Sequence, residues 1–208
     1  MSTVSELNIN TSGRAIPRDI GALPFRSKRL NFKEMDYTWH YDSPLGGMTL
    51  ASDGKALVGL WFDDQDYFAE TLEGEGVEKK LPIFEETMRW LEIYFSGKAP
   101  DFTPTLSLRA TPFRKEVWEF LLSIPYGSTM TYGDIAQGMA KQKGVDRLCP
   151  RAVGGAVGRN PISIIIPCHR VVGAGRSLSG YAGGVERKIA LLELEKVDVG
   201  KFSIPKRS

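Results

Sequence analysis

Residues 37–62 read YTWHYDSPLGGMTLASDGKALVGLWF, and this stretch decides how the first half of the chain folds. Three short runs rich in aromatic and branched residues, Tyr37 to Tyr41, Met48 to Ala51 and Ala56 to Phe62, alternate with turn formers. Ser43-Pro44-Leu45-Gly46-Gly47 separates the first two runs, and Asp53-Gly54 separates the last two as a two-residue type I′ hairpin signal. The pattern predicts an antiparallel meander with His40 on one of its strands.

Upstream, residues 1–35 mix Ser, Asn, Gly, Pro and scattered Arg without a sustained period, and read as an extension with no assigned function. Downstream, residues 63–80 are acidic and contain Gly, as a loop or weak helix does. Pro82 opens a helix carrying Ile83, Phe84, Met88, Leu91 and Phe95 near helical spacing, and Gly97 ends it. Lys98 to Leu108, with Pro100 and Pro104, reads as a linker.

The second half reads as mainly helical. Thr111-Pro112 is an N-cap followed by Pro at the first helical position, and Phe113, Val117, Phe120, Leu121 and Ile124 form an apolar stripe that Pro125-Tyr126-Gly127 stops. A helix begins at Thr131, whose hydroxyl can cap it with Asp134 three positions on, and carries Ile135, Ala136 and Met139. Pro150 to Gly158 is a short helix of very small residues, so the pair has the outline of a helix-turn-helix with a long connection. Ser163 to Ile166 is predicted as a short buried strand, and Val185 to Glu195 as a helix with Ile189, Leu191 and Leu192 facing inward. The expected division is an extension over 1–35, an α/β domain over 36–104 and a second domain over 105–208.

The chain has 208 residues, 42% of them hydrophobic, which is enough for a real core. It has no run of about 18 apolar residues, and the first 30 residues hold five of its basic residues and no apolar h-region. Neither a membrane span nor a secretory signal is read, and a cytoplasmic protein is expected. Residues 36–104 hold 5 basic and 14 acidic residues, and residues 105–208 hold 16 and 8. A basic half that meets a polyanion and two solvated surfaces of opposite sign are equally open on charge alone.

The two cysteines, Cys149 and Cys168, are too few for a disulfide framework or a thiolate zinc site. In Ile166-Pro167-Cys168-His169-Arg170-Val171-Val172, a thiol stands beside one of only two histidines. A thiol becomes a strong nucleophile as thiolate, which a base or cation nearby favours. Adjacent residues often point apart, however, so His169 would need a bridging water and a carboxylate to orient it, and spacing alone does not choose that carboxylate. A buried thiol beside a satisfied histidine is the competing reading.

The hexapeptide Pro167 to Val172 resembles the active-site signature of the O6-alkylguanine-DNA alkyltransferases, or methylated-DNA–protein-cysteine methyltransferases. Thr111-Pro112-Phe113, Ile124-Pro125-Tyr126-Gly127, Thr131-Tyr132-Gly133, Arg151 to Ala156, Asn160-Pro161 and Tyr181-Ala182-Gly183-Gly184 follow the order of that family. The resemblance is strong over residues 108–196 and looser over the meander. It implies an α+β fold: an N-terminal antiparallel β-sheet with helices, ribonuclease H-like, and a mainly helical C-terminal domain holding a helix-turn-helix and the cysteine. It implies single-turnover DNA repair, in which the alkyl group of O6-alkylguanine, with O4-alkylthymine as a candidate second substrate, passes irreversibly to Cys168.

Carried over residue by residue, the resemblance makes Cys168 the acceptor, His169 the water-linked base, Glu195 its orienting carboxylate and Asn160 the organiser of the turn. Tyr132 would press on the target phosphate and donate to the departing base. Arg151 would enter the duplex in place of the flipped nucleotide, with Thr131, Gly133, Ala152 and Gly155 also facing DNA. Val157, Val171, Tyr181, Ala182 and Gly183 would line the guanine pocket. The implied partner is double-stranded DNA containing alkylated guanine, met by a monomer, with no cofactor and no membrane. Some members bind zinc in the N-terminal domain, but here that region holds no Cys and only His40, so no metal is expected.

The stretch Lys141 to Pro150 is longer than in short members of the family and sets Cys149 just before Arg151. Cys149 reads as an ordinary buried or half-exposed thiol, against a second thiol near DNA or a redox partner for Cys168. The rival functions are a module that binds alkylated DNA or regulates through its helix-turn-helix without transfer, and a thiol hydrolase. Alkyltransferase-like binders lack the cysteine, which argues against the first.

Overall fold

The computed structural model describes residues 35–178 and 180–204, so the reading of the N-terminal extension lies almost wholly outside the described residues. Strands β1 (Tyr37–Ser43) and β2 (Gly46–Ser52) form the first hairpin, with Tyr37 opposite Ser52 and Ser43 opposite Gly46. Ser43 closes its turn, accepting from the Leu45 N–H and donating to the Gly46 carbonyl. Strand β3 (Leu57–Phe62) pairs antiparallel with β2, as the meander predicts. The second turn is longer than Asp53-Gly54 suggests. Asp53 Oδ1 accepts from the N–H groups of Lys55 and Ala56, both at 2.9 Å, so residues 53–56 form the loop and a bulge at Ala51/Ser52 absorbs the register change. The acidic stretch beyond β3 contributes a two-residue strand, β4 (Val77–Glu78), parallel to β1, giving the order β3-β2-β1-β4.

Helix α1 (Pro82–Phe95) starts at Pro82 as expected, but it is rotated from the predicted stripe. Its buried face is Ile83, Phe84, Thr87, Trp90, Leu91 and Tyr94, while Met88 and Phe95 are only partly covered. Trp90 is drawn inward because its indole N–H reaches the Phe102 carbonyl at 2.9 Å.

All six residues of β3 are buried. A side chain at Gly59 would collide with the Trp61 ring, so glycine there lets the indole fold back across its own strand. The outer edge of β3 is covered by two later segments. Leu57 exchanges backbone hydrogen bonds with Thr105 and Ser107, and Leu60 with Pro161 and Ser163, at 2.8–2.9 Å. The end of the expected linker is therefore added to the sheet. The expected strand over 163–166 is instead a single bridge at Ile162 followed by a turn, with Ile164 at φ 69°. Three consecutive isoleucines mimic a strand because burial selects the same residue types in a packed turn.

The second half comprises α2 (Pro112–Leu121), β5 (Met130–Thr131), α3 (Tyr132–Lys143), α4 (Pro150–Val157), β6 (Val171–Val172) and α5 (Val185–Leu194). Thr111 sits at the N-cap of α2 with Pro112 behind it, but its hydroxyl makes no capping bond. Thr131 and Asp134 form the predicted reciprocal cap of α3, which Gly144 ends at φ 65°. Helix α2 braces the other two: the Trp118 indole N–H donates to the Ala156 carbonyl at 2.8 Å, and the Phe120 ring occupies the space a side chain at Gly138 would need. Parallel pairing of β5 with β6 sets Thr131 opposite Val172, which brings the start of α3 beside the cysteine segment.

Candidate active site

Cys168 opens a 3₁₀ turn, Cys168–Arg170, between the Ile162–Pro167 turn and β6. The site is assembled around Asn160, which follows α4. Its Oδ1 accepts from the Ile162 N–H at 3.0 Å, and its Nδ2 donates to the Ile166 carbonyl at 2.8 Å and to Cys168 Sγ at 3.0 Å. One buried amide therefore fixes the turn and touches the sulfur. Burial raises the Cys168 thiol above its ordinary range, opposed by the Asn160 bond and the nearby Lys188 charge. At rest the group is a protonated thiol.

His169 is completely buried. Its Nε2 lies 2.7 Å from Glu195 Oε1, while its Nδ1 is buried with no hydrogen-bond partner among the described residues. Burial lowers the imidazole below its ordinary value and outweighs the pull of Glu195. Glu195 itself, at the C-cap of α5, resists the cost of burial. Hydrogen bonds from His169 and Arg170 bring its carboxyl down to about 2, and the Gly127 N–H adds a bond at 2.9 Å. A carboxylate held ionised accepts a hydrogen bond from the imidazole N–H, which keeps the proton on Nε2 and leaves a lone pair on Nδ1.

Of the residues expected to face DNA, Thr131, Tyr132, Gly133 and Arg151 come together, while Ala152 and Gly155 line a second recess with Thr111 and Arg159. Thr131, Tyr132, Gly133, Pro150, Arg151 and Gly154 line a single recess. Helix α4 buries Val153, Ala156 and Val157 and turns Arg151, Ala152 and Gly155 to solvent. Tyr132 is half-buried, its hydroxyl 3.5 Å from the Gly180 carbonyl; burial raises its pKa, and a thiolate at Cys168 would push it the same way. Val157, Val171 and Tyr181 belong to the same buried cluster as Cys168. Ala182 and Gly183 line, with Tyr181, a recess shared with Asp64 and Asp66, and the Asp66 N–H donates to the Ala182 carbonyl at 3.0 Å.

Cys149 is exposed at the N-cap of α4, contrary to the expectation of a buried or half-exposed thiol. The N–H groups of Ala152 and Arg151 lower its pKa. His40 is on β1 as expected, next to Asp42 and Asp63; no group of three candidate metal ligands occurs among the described residues.

Three site residues were missing from the sequence reading. Arg170 was noted only as a neighbour, yet it donates to both oxygens of Glu195 and, at 2.6 Å, to the Ile124 carbonyl. Lys188 is fully buried, donates to the Val171 carbonyl at 2.6 Å and is pulled down to about 8 by burial. Tyr94 of α1 donates to Glu195 Oε1 at 2.7 Å. The last two had a signal: Lys188 shares a helical face with Leu191 and Glu195, and Tyr94 one with Leu91.

Two family descriptions match consecutive parts of the chain: "6-O-methylguanine DNA methyltransferase, ribonuclease-like domain" over residues 37–108 and "DNA binding domain" of the same protein over residues 112–197. The chain belongs to this family. It is 45% identical to the methylated-DNA–protein-cysteine methyltransferase of Mycobacterium leprae over 76% of its own length and 91% of that protein. The Haemophilus influenzae protein of the same name is 40% identical, with 77% and 87% covered. Among solved structures, the Mycobacterium tuberculosis O6-methylguanine methyltransferase is 44% identical with a TM-score of 0.67, covering 78% of this chain and 93% of that one. The M. tuberculosis protein solved in complex with DNA gives 42% and 0.65, covering 81% and 94%. The fold is the α+β, two-domain arrangement of these proteins.

Proposed function

We propose that this methyltransferase-family chain repairs O6-alkylguanine in double-stranded DNA by moving the alkyl group to Cys168, once per molecule. The observation that carries the reading is the arrangement at His169: Nε2 lies on an ionised Glu195, Nδ1 is buried without a partner among the described residues, and the next residue in the chain is a thiol that Asn160 already holds. His169 Nδ1 takes the Cys168 proton through a bridging water. The sulfur attacks the alkyl carbon as the carbon–O6 bond breaks, and the electron pair leaves with guanine, which is reprotonated with Tyr132 as donor. The product thioether has no leaving group that water displaces readily, so the protein is consumed.

A thiol with a raised pKa suits this reaction, because thiolate forms only when the acceptor is in place. Arg151 occupies the gap left by the flipped nucleotide, recovering part of the few kcal/mol of lost stacking. Val157, Val171, Tyr181, Ala182 and Gly183 receive the base. Residues 36–104 act as the supporting domain and 105–208 as the reactive one, and activity on cellular DNA gives a cytoplasmic, DNA-associated location. No helix of the described residues is long and apolar enough to cross a membrane.

The test is mass spectrometry after incubation with duplex DNA containing O6-methylguanine. One methyl on the Cys168 peptide, saturating at one per protein while guanine is restored, is the expected result. Cys168→Ala should bind the same DNA and take up no methyl. Methyl transfer by that variant, or binding without any adduct in the native protein, would refute the assignment.

A further inference from the structure

The residue that completes the buried relay comes from the other half of the chain. Tyr94, near the end of α1, is fully buried, and its hydroxyl lies 2.7 Å from Glu195 Oε1 and 3.2 Å from His169 Nε2. Trp90 stacks on its ring at 5.3 Å, and Tyr126 meets it edge-on at 6.0 Å, so the hydroxyl has little freedom to turn away. A phenol has one proton. Burial and the Glu195 charge keep it on the oxygen, so it is donated to the carboxylate, and the phenol lone pair then faces the proton on His169 Nε2.

We infer that Tyr94 is a positioning residue for the His169 base, supplied to the alkyl-transfer site by the 37–108 segment. Two consequences follow from its contacts, given the transfer reaction proposed above. The imidazole proton is held between two oxygens, which fixes the ring and leaves the buried Nδ1 as its acceptor. The Tyr94 proton also takes part of the Glu195 charge, so the carboxylate stabilises imidazolium less and His169 remains a neutral base. The contact at 2.7 Å outweighs the one at 3.2 Å, so loss of the hydroxyl makes His169 more basic. The other charged and titratable groups around this centre are Arg170, Lys188, Cys168, Tyr126 and Tyr181, and a single hydroxyl deletion leaves all of them in place.

The experiment compares Tyr94→Phe with the native protein. Measured are the second-order rate of Cys168 alkylation by methylated duplex DNA and by free O6-benzylguanine across pH, and the ¹⁵N signals of the two histidines. Exposed His40 serves as the internal reference. The acid limb of the rate profile should move about one pH unit upward, giving about tenfold slower reaction below it with either substrate and a smaller loss at alkaline pH. The His169 nitrogens should protonate at correspondingly higher pH.

A folded variant whose profile and ¹⁵N midpoint match the native protein would overturn the inference. So would a slower variant with an unshifted profile, which is the mark of lost packing alone. Should Tyr94→Phe fail to fold, difluorotyrosine at position 94 keeps the ring and strengthens the donor, and should move the limb downward; an unmoved limb overturns the inference. A native protein that transfers nothing refutes the proposed function instead, and the ¹⁵N comparison still decides the role of Tyr94.

Discussion

Glu195 is the residue on which the buried site balances. It accepts from His169, Arg170, Tyr94 and the Gly127 N–H, and each donor stabilises the charge that burial opposes. A folded-state pKa of about 2 against an ordinary 4.5 means that its contribution to stability is fully present above about pH 4.5 and is lost as pH falls toward 2. Glu195→Gln removes the charge and leaves the largely buried Arg170 without its counterion. Breaking a buried pair in this way should cost about 3–5 kcal/mol in urea unfolding. The variant should also lack the native protein's loss of stability between pH 4.5 and 2, and a parallel pH dependence would show that Glu195 is not the titrating group.

At the scale of the element, α4 divides its labour between two faces. Val153, Ala156 and Val157 pack inward, while Gly155 is exposed, and among the described residues nothing beyond its chain neighbours and its own helix backbone lies within 4 Å of where a Cβ would stand. The Cβ of a leucine at this exposed position therefore meets no clash, and its better helix propensity should add up to about 1 kcal/mol to stability. If this face approaches DNA, Gly155→Leu should nonetheless weaken duplex binding by about tenfold or more, as read by fluorescence anisotropy. Arg151→Ala should slow repair in duplex DNA more than reaction with free O6-benzylguanine. Unchanged binding in the first variant, or equal losses in the second, would place the DNA surface elsewhere.

Across the whole molecule, the sheet and the helical half are tied by buried polar contacts rather than by a loose linker. Arg109, between the two family-matched segments, places both terminal guanidinium nitrogens on Asp36 at 2.5 and 2.8 Å, and Asp36 is 1% exposed. The same carboxylate accepts from the Glu73 N–H at 2.7 Å. Arg109→Ala strands that charge and should destabilise the protein by about 3 kcal/mol, the lower end for a buried pair because Arg109 reaches solvent at one side. Strand and helix signals should melt together in both proteins, since β3 holds residues 105–107 and 161–163 on its edge. A variant in which the sheet melts before the helices would show that these links are weaker than their burial implies.

Much of this was legible in local sequence. The meander follows from alternation and turn residues, α3 from its Thr131 and Asp134 cap, and the proposed nucleophile from a hexapeptide that resembles one family. These are short-range patterns, set by backbone sterics, capping and the chemistry of adjacent side chains, and no distant partner is needed to read them. What only the tertiary structure decided is which distant groups share a buried volume. The 163–166 run became a turn because Asn160 and the β3 edge claimed its backbone groups. The relay gained Tyr94, 101 residues from Glu195 in the chain, because desolvation made a charged carboxylate collect every donor within reach. Hydrogen bonds closed across that separation leave no periodic trace in either segment, so the sequence determined most of the elements and pointed to a candidate nucleophile, and the fold chose that residue's surroundings.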